Sequence, residues 1–242
     1  MSEQSIKRTT LSMKQGNAKL DKSITIFSIP AGFTCPGAKQ CLTKADPDTG
    51  RAMLGAHAEF KCFAATAEAR PGVRKSRWSN FELLTSAKTT LGMARLIQKS
   101  ILKGTQKLRI HESGDFFSQR YFDAWLVVAR RNPDITFYAY TKSLKFWVNR
   151  MIYIPSNLRL TASRGGTHDH LIDDLQLRSS EVVFHPDDAK GMEIDHDDSH
   201  AYGDSKKSFA LLLHGQQPKD TPAAAAIKRL NKEKIKYSYA KT

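Results

Sequence analysis

Cysteine is scarce in this 242-residue chain: Cys35, Cys41 and Cys62 are its only thiols, and none follows Cys62. An odd number of thiols cannot close into a full set of disulfides, so a disulfide-stapled scaffold is excluded. Long apolar runs are also missing, and a stretch such as Ala210–Leu213 falls far short of the ~20 residues a membrane span needs. The opening residues, Met1-Ser2-Glu3-Gln4-Ser5-Ile6-Lys7-Arg8, contain no apolar h-region. No signal peptide is therefore expected, and the expected home is a reducing cytoplasm. There is no Gly-x-Ser-x-Gly elbow and no phosphate-binding P-loop, which removes two large enzyme classes. Zinc-finger, helix-turn-helix and RNP signatures are absent, so sequence-specific nucleic-acid readout has no support.

Negative charge is in short supply. Against 38 Lys and Arg stand 24 Asp and Glu, a formal net charge of +14. Such an excess favours a polyanionic partner, nucleic acid first. The basic residues concentrate at 70–109, with ten Lys/Arg and one Glu, and at 219–242, with seven against two acids. Ala223–Lys236 reads as a cationic helix followed by Tyr237 and Tyr239, suited either to phosphates and stacked bases or simply to solvent. The acids gather at 187–204, seven against one lysine. Lacking the ordered spacing of a calcium loop, that segment is expected to be flexible and solvated.

What remains is ordinary globular composition, 40% hydrophobic and 26% charged. Strand-like runs at Ile24–Ile29, Lys107–His111, Ile135–Tyr140, Leu158–Ala162, Glu181–His185 and Phe209–Leu213 punctuate the chain. Helical segments at Asn80–Lys103, Ser118–Arg131, Leu144–Tyr153 and His168–Leu177 lie between them, and the alanine-rich Ala52–Ala69 is also expected to be helical. Strands separated by helices of this length give an α/β fold with a parallel sheet, as a partial (β/α) barrel or an open sheet. The helices are too few for an easy closed eight-fold barrel. The expected organisation is a basic arm at 1–22, an α/β metal-binding domain at 23–215 containing the acidic loop 187–204, and a basic helix and tail at 216–242.

In such folds ligands sit at the carboxyl ends of the strands. The cysteines follow the first strand with spacing Cys-x5-Cys-x20-Cys, in a loop rich in Gly and Pro rather than on an apolar face. Thiolates suit zinc or iron–sulfur iron. Cys35, Cys41 and Cys62 with His57 would complete a tetrahedral zinc site, though no Cys-x2-Cys knuckle is present. The three alone would hold a [4Fe–4S] cluster with one iron open to a small molecule or nucleotide. After the next strand come His111, Glu112, Ser113, Gly114 and Asp115. His111, Glu112 and Asp115 are candidates for acid–base work, or Asp115 caps the following helix. Strict alternation would put His111 and Ser113 on one face and Glu112 on the other. Lys142 and Arg164, at later strand ends, would suit an anionic ligand. Ser113, Gly114, Asp115, Lys142 and Arg164 are thus the candidate cofactor-binding residues.

Phe33-Thr34-Cys35-Pro36-Gly37-Ala38, Cys41, Lys61-Cys62-Phe63-Ala64-Ala65, Glu112-Ser113-Gly114-Asp115-Phe116-Phe117-Ser118, Trp125, Asn132-Pro133 and Phe137-Tyr138-Ala139-Tyr140-Thr141-Lys142-Ser143 together resemble the phage "gene product 88" family of uncharacterised proteins. The resemblance covers roughly residues 24–165. It implies a phage protein acting in the host cytoplasm. The family's layout is similar to radical S-adenosylmethionine enzymes, which implies a [4Fe–4S] cluster and S-adenosylmethionine as cofactors. The radical-enzyme signature is a compact Cys-x3-Cys-x2-Cys followed by Gly-Gly-Glu, whereas here the cysteines span 28 positions. The alternative is a structural iron–sulfur or zinc centre in a protein that binds nucleic acid or a host protein through its basic surface.

Overall fold

A computed structural model describes residues 9–236 and Tyr239. Residues 1–8 of the expected arm, and Tyr237, lie outside the described residues. The chain begins with β1 (Met13–Gln15) and β2 (Ile24–Ser28), an antiparallel pair. A separate two-stranded ribbon follows, β3 (Thr43–Ala45) with β4 (Ala52–Leu54). The next elements are α1 (Pro71–Ser86), α2 (Thr90–Gln98), β5 (Lys107–Ser113), α3 (Gln119–Arg131), β6 (Thr136–Thr141) and α4 (Leu144–Val148). The remainder are β7 (Leu158–Ser163), α5 (His170–Asp174), β8 (Ser179–Val183), β9 (Ile194–Asp195), α6 (Ser199–Tyr202), β10 (Phe209–Leu212) and α7 (Pro222–Lys232).

The main sheet has eight strands in the order β1-β2-β5-β6-β7-β8-β10-β9, and every pairing after β1–β2 is parallel. From β2 to β8 the order across the sheet follows the order along the chain, so the winding never reverses. Right-handed crossovers then deliver the intervening helices to one face. The side chains agree. Phe27, Leu108, Ile110, Phe137, Ala139 and Leu158 pack against Leu84, Met93, Ile97, Trp125 and Val128 from α1, α2 and α3. Further along the same face, Val183, Ala210 and Leu212 meet Leu230 of α7. The opposite face presents Ile24, Ile26, Tyr138, Phe209 and Leu211, covered by Leu20 and by Ala201 of α6.

The helix at 119–131 forms for the reasons its pattern gives. Ser118 caps it by accepting from the Tyr121 amide at 3.3 Å, two arginines sit in its last turn, and Tyr121, Trp125 and Val128 are buried together. Asp115 is not that cap. The alanine-rich 52–69 stretch, by contrast, is not one helix but β4, an irregular crossing and a short 3-10 turn at Ala65–Ala69. Its amides are taken by distant acceptors: Gly55 donates to the Leu42 carbonyl, Lys61 to Gln217 and Cys62 to Thr43. Tertiary partners thus replace the local bonds that helix propensity would have made.

Both the described part of the basic arm and the acidic segment join the fold. The arm contributes β1, and Leu11 and Leu20 are buried. Within 187–204, β9 pairs with β10 and α6 lies on the sheet, with Asp195 and Asp198 fully buried. Burying these two carboxylates requires donors, and the sheet supplies them.

Candidate functional site

The three cysteines line one pocket of about 190 Å³ at the carboxyl ends of β2, β5, β6 and β7. Cys35 follows the sharp turn after β2, where Thr34 Oγ1 donates to the Pro30 carbonyl at 2.6 Å and the Gly32 amide donates to Cys35 Sγ at 3.3 Å. Gly37 seats this loop against the end of β6, since a Cβ there would stand 2.0 Å from the Lys142 carbonyl oxygen. Thr167 donates to the Gly37 carbonyl and Gln40 to that of Gly165, both at 2.9 Å. Cys41 and Cys62 are joined through Thr43, whose Oγ1 accepts from the Cys62 amide at 2.9 Å and donates to the Cys41 carbonyl at 3.3 Å. A scattered sequence spacing thus becomes one wall.

All three thiols are free. Burial, then the Asp115 carboxylate and the other two thiols, push Cys35 well above the usual thiol range. Burial and the neighbouring Cys41 push Cys62 up to about 11. Cys35 and Cys62 thus resist becoming anions side by side, and a bound cation would supply the positive charge their thiolates lack. Among the described residues, no three His, Cys, Asp or Glu side chains are grouped to hold a single metal ion. His57 is exposed on the turn after β4 and does not line the pocket.

A bulge decides the fate of the next cluster. Ile26 pairs with Arg109 but Ser28 pairs with Ser113, so β5 carries two extra residues at this point. His111 takes φ +71° there. Alternation breaks, and His111 and Glu112 both line the pocket. The His111 ring lies among Phe27, Phe116 and Tyr121, with Nε2 2.8 Å from the Tyr121 hydroxyl. Burial, then the Arg109 charge, hold it down to about 3, so the ring is neutral. Glu112 accepts from Arg77 Nη2 and from Ser28 Oγ, both at 3.1 Å. Arg77 in turn pairs with the buried Glu68 at 3.0 Å.

Gly114, Asp115 and Lys142 also line the pocket. Asp115 ties β5 to β6 by accepting from Thr141 Oγ1 at 2.6 Å and from the Lys142 amide at 2.8 Å. Burial raises its pKa while those donors oppose the rise. The Lys142 ammonium donates to the Ser163 hydroxyl at 2.8 Å and to the carbonyls of Ser163 and Arg164, bracing β6 against β7. Ser113 is buried but does not line the pocket, and its hydroxyl has no partner among the described residues. Arg164 lies outside the pocket and pairs with Asp173 at 2.6 Å.

Several lining residues were not legible as candidates: Arg109 and Tyr140 come from strand interiors, Lys19 from the segment before β2, and His214 from beyond β10. Tyr239, read in the sequence as a residue that could stack on bases, instead lines this pocket and donates to Asp198 at 2.6 Å. The Phe63 and His214 rings stack with centroids 3.8 Å apart. Alternation along β5 and β6 could have pointed to Arg109 and Tyr140, but no local pattern marks the others. The basic run at 70–109 is also partly structural. Arg74 donates to the carbonyls of Pro47, Asp48 and Glu68, Arg77 pairs with two glutamates, and Arg109 pairs with Asp198.

No helix among the described residues is long and apolar enough to cross a membrane. No solved structure matches the chain. The Gene 88 protein of Mycobacterium phage L5 is 31% identical over 140 residues, covering 53% of this chain and 52% of its own length. That of Mycobacterium phage D29 is 34% identical over 140 residues, covering 53% of this chain and 51% of its own. The chain therefore spans about half the length of the curated relatives it matches. The sequence profile described as Gene product 88 matches much more, residues 4–233. With that match extending from the start of the arm through α7, the chain belongs to the Gene product 88 family.

Proposed function

We propose that Cys35, Cys41 and Cys62 hold a [4Fe–4S] cluster whose remaining iron faces a small-molecule pocket. The observation that carries this reading is the convergence of all three thiols of the chain on one pocket at the strand ends. A cluster separates its ligand sulfurs more widely than a single ion does, which suits thiols brought from two segments, the loop after β2 and the crossing after β4. When bound, the cluster would supply an open iron and an electron to a ligand. The protein's own contributions are then separate. Asp115 and Lys142 fix the strand ends that frame the pocket, and Phe60 and Phe63 give it apolar walls. His111, held neutral, would offer a ring nitrogen without charge. S-adenosylmethionine is the ligand proposed first, by analogy with the radical-enzyme layout on a singly wound sheet.

A second reading makes the metal structural and the basic surface the working part. It draws on α7 and the residues after it, where Lys228, Arg229, Lys232 and Lys234 are exposed while Ala223 and Leu230 are buried. Such a helix could bind nucleic acid or a host protein.

The test is anaerobic purification with iron, sulfide and zinc measured together with the visible spectrum. About four irons and four sulfides per chain, with a broad ~400 nm band lost in Cys35→Ala, are expected. One zinc without iron would favour the second reading, and neither metal would overturn both.

A further inference from the structure

Part of the pocket wall carries hydrogen-bond donors without acceptors. Arg109 Nη1 donates to Asp198 Oδ2 at 2.6 Å, but its Nε is buried with no partner among the described residues. No described residue accepts from Nη2. In a guanidinium, Nε–H and Nη2–H share one lateral edge, which matches two oxygens of a carboxylate or phosphate. The group is held firmly, with the Tyr140 and Tyr239 ring centroids 5.1 and 5.9 Å from its central carbon. Lys19 adds a second cation, its Nζ 3.3 Å from His214 Nδ1 and 5.8 Å from the Tyr239 centroid. Among the described residues Lys19 has no carboxylate partner. The nearby carboxylates are engaged: Asp198 by Arg109 and three tyrosines, Asp115 by Thr141 and the Lys142 amide, and Glu112, whose charge reaches Lys19, by Arg77 and Ser28.

We infer that Arg109 and Lys19 form an oxyanion subsite that takes the carboxylate or phosphate of a small molecule bound in the pocket. Asp198 orients the guanidinium from one edge and leaves the lateral edge for the ligand. The inference rests on reading the cavity as a ligand pocket, but not on the cluster.

Two ligand pairs, each differing in the anionic group, test it by calorimetry on the full chain. One compares AMP with adenosine, and the other S-adenosylmethionine with decarboxylated S-adenosylmethionine, which lacks only the carboxylate. Iron and sulfide are measured in every sample. The expected result is that, in at least one pair, the member bearing the phosphate or carboxylate binds about tenfold or more tightly than the member lacking it. Arg109→Lys, which keeps the charge but loses the fork, should remove most of that difference, and Lys19→Ala should reduce it. Because Lys19 is exposed and its loss threatens no fold, the second variant decides the matter if Arg109→Lys fails to fold. Equal binding within both pairs, a preference unaffected by the variants, or no binding of either anion would overturn the subsite. Arginine-dependent binding in protein without iron would retain the subsite and remove the cluster. A cluster with arginine-independent binding would do the reverse.

Discussion

Arg109 and Asp198, 89 residues apart in sequence, meet at 2.6 Å on the sheet face opposite the helix layer. The carboxylate also accepts from the hydroxyls of Tyr138 and Tyr140 at 3.0 Å and of Tyr239 at 2.6 Å. One fully buried aspartate therefore fastens α6, two strands and Tyr239 to the pocket floor. Removing one partner of a buried pair strands the other's charge. Asp198→Ala should cost about 3–5 kcal/mol. Tyr140→Phe, which leaves the pair intact, should cost about 1 kcal/mol. Urea unfolding of both variants checks the ranking, and equal losses would mean the pair carries no special weight.

Gly37 and Gly72 should respond oppositely to alanine. At Gly37 the new Cβ meets the Lys142 carbonyl oxygen, while at Gly72, in the first turn of α1, it meets nothing within 4 Å. Gly37→Ala should lift the cysteine loop from β6, lowering stability by about 1–3 kcal/mol and reducing bound metal. Gly72→Ala should raise stability by about 0.4–1 kcal/mol with metal unchanged. Denaturation midpoints and metal content measure both.

Acid should weaken the fold through His111. Its pKa falls from about 6.5 unfolded to about 3 folded, so between these values the unfolded chain binds a proton that the folded chain refuses. Stability should therefore fall as pH drops from about 6.5 toward 3, by up to about 1.4 kcal/mol per pH unit from this group. His111→Asn, a residue that tolerates the φ of +71°, should flatten that part of the profile. A variant profile parallel to the wild type would show that His111 titrates normally.

Much of the α/β rhythm was legible because each strand and its following helix announce themselves locally. The helix at 119–131 is the clearest case, with Tyr121, Trp125 and Val128 at helical spacing and all buried. The cysteines were equally plain as residues, but their shared pocket depends on the Gly37 contact and on Thr43, neither of which has a sequence signature. Residues 52–69 misled because alanine content reports propensity, whereas acceptors at Leu42, Thr43 and Gln217 determined the backbone. The acidic segment misled for the complementary reason. Charge density suggested solvent, yet Asp198 lies against Arg109 and three tyrosines drawn from distant parts of the chain. Alternation failed at His111 because the bulge in β5 is set by pairing with β2.

His57 supplies the sharpest separation between spacing and geometry. It lies five residues before Cys62, close enough in sequence to complete a Cys3His site, but its side chain is exposed and outside the pocket. A ligand must reach the thiols in the folded chain, and adjacency in sequence does not ensure that. His57→Ala should therefore retain the wild-type metal content and visible spectrum, while Cys35→Ala, Cys41→Ala and Cys62→Ala should each lose both. Metal analysis of the four variants, purified anaerobically in parallel, decides the point. Loss of metal in His57→Ala would mean that the turn after β4 folds inward to bind it, and the pocket's fourth ligand would then be the histidine indicated by the spacing alone.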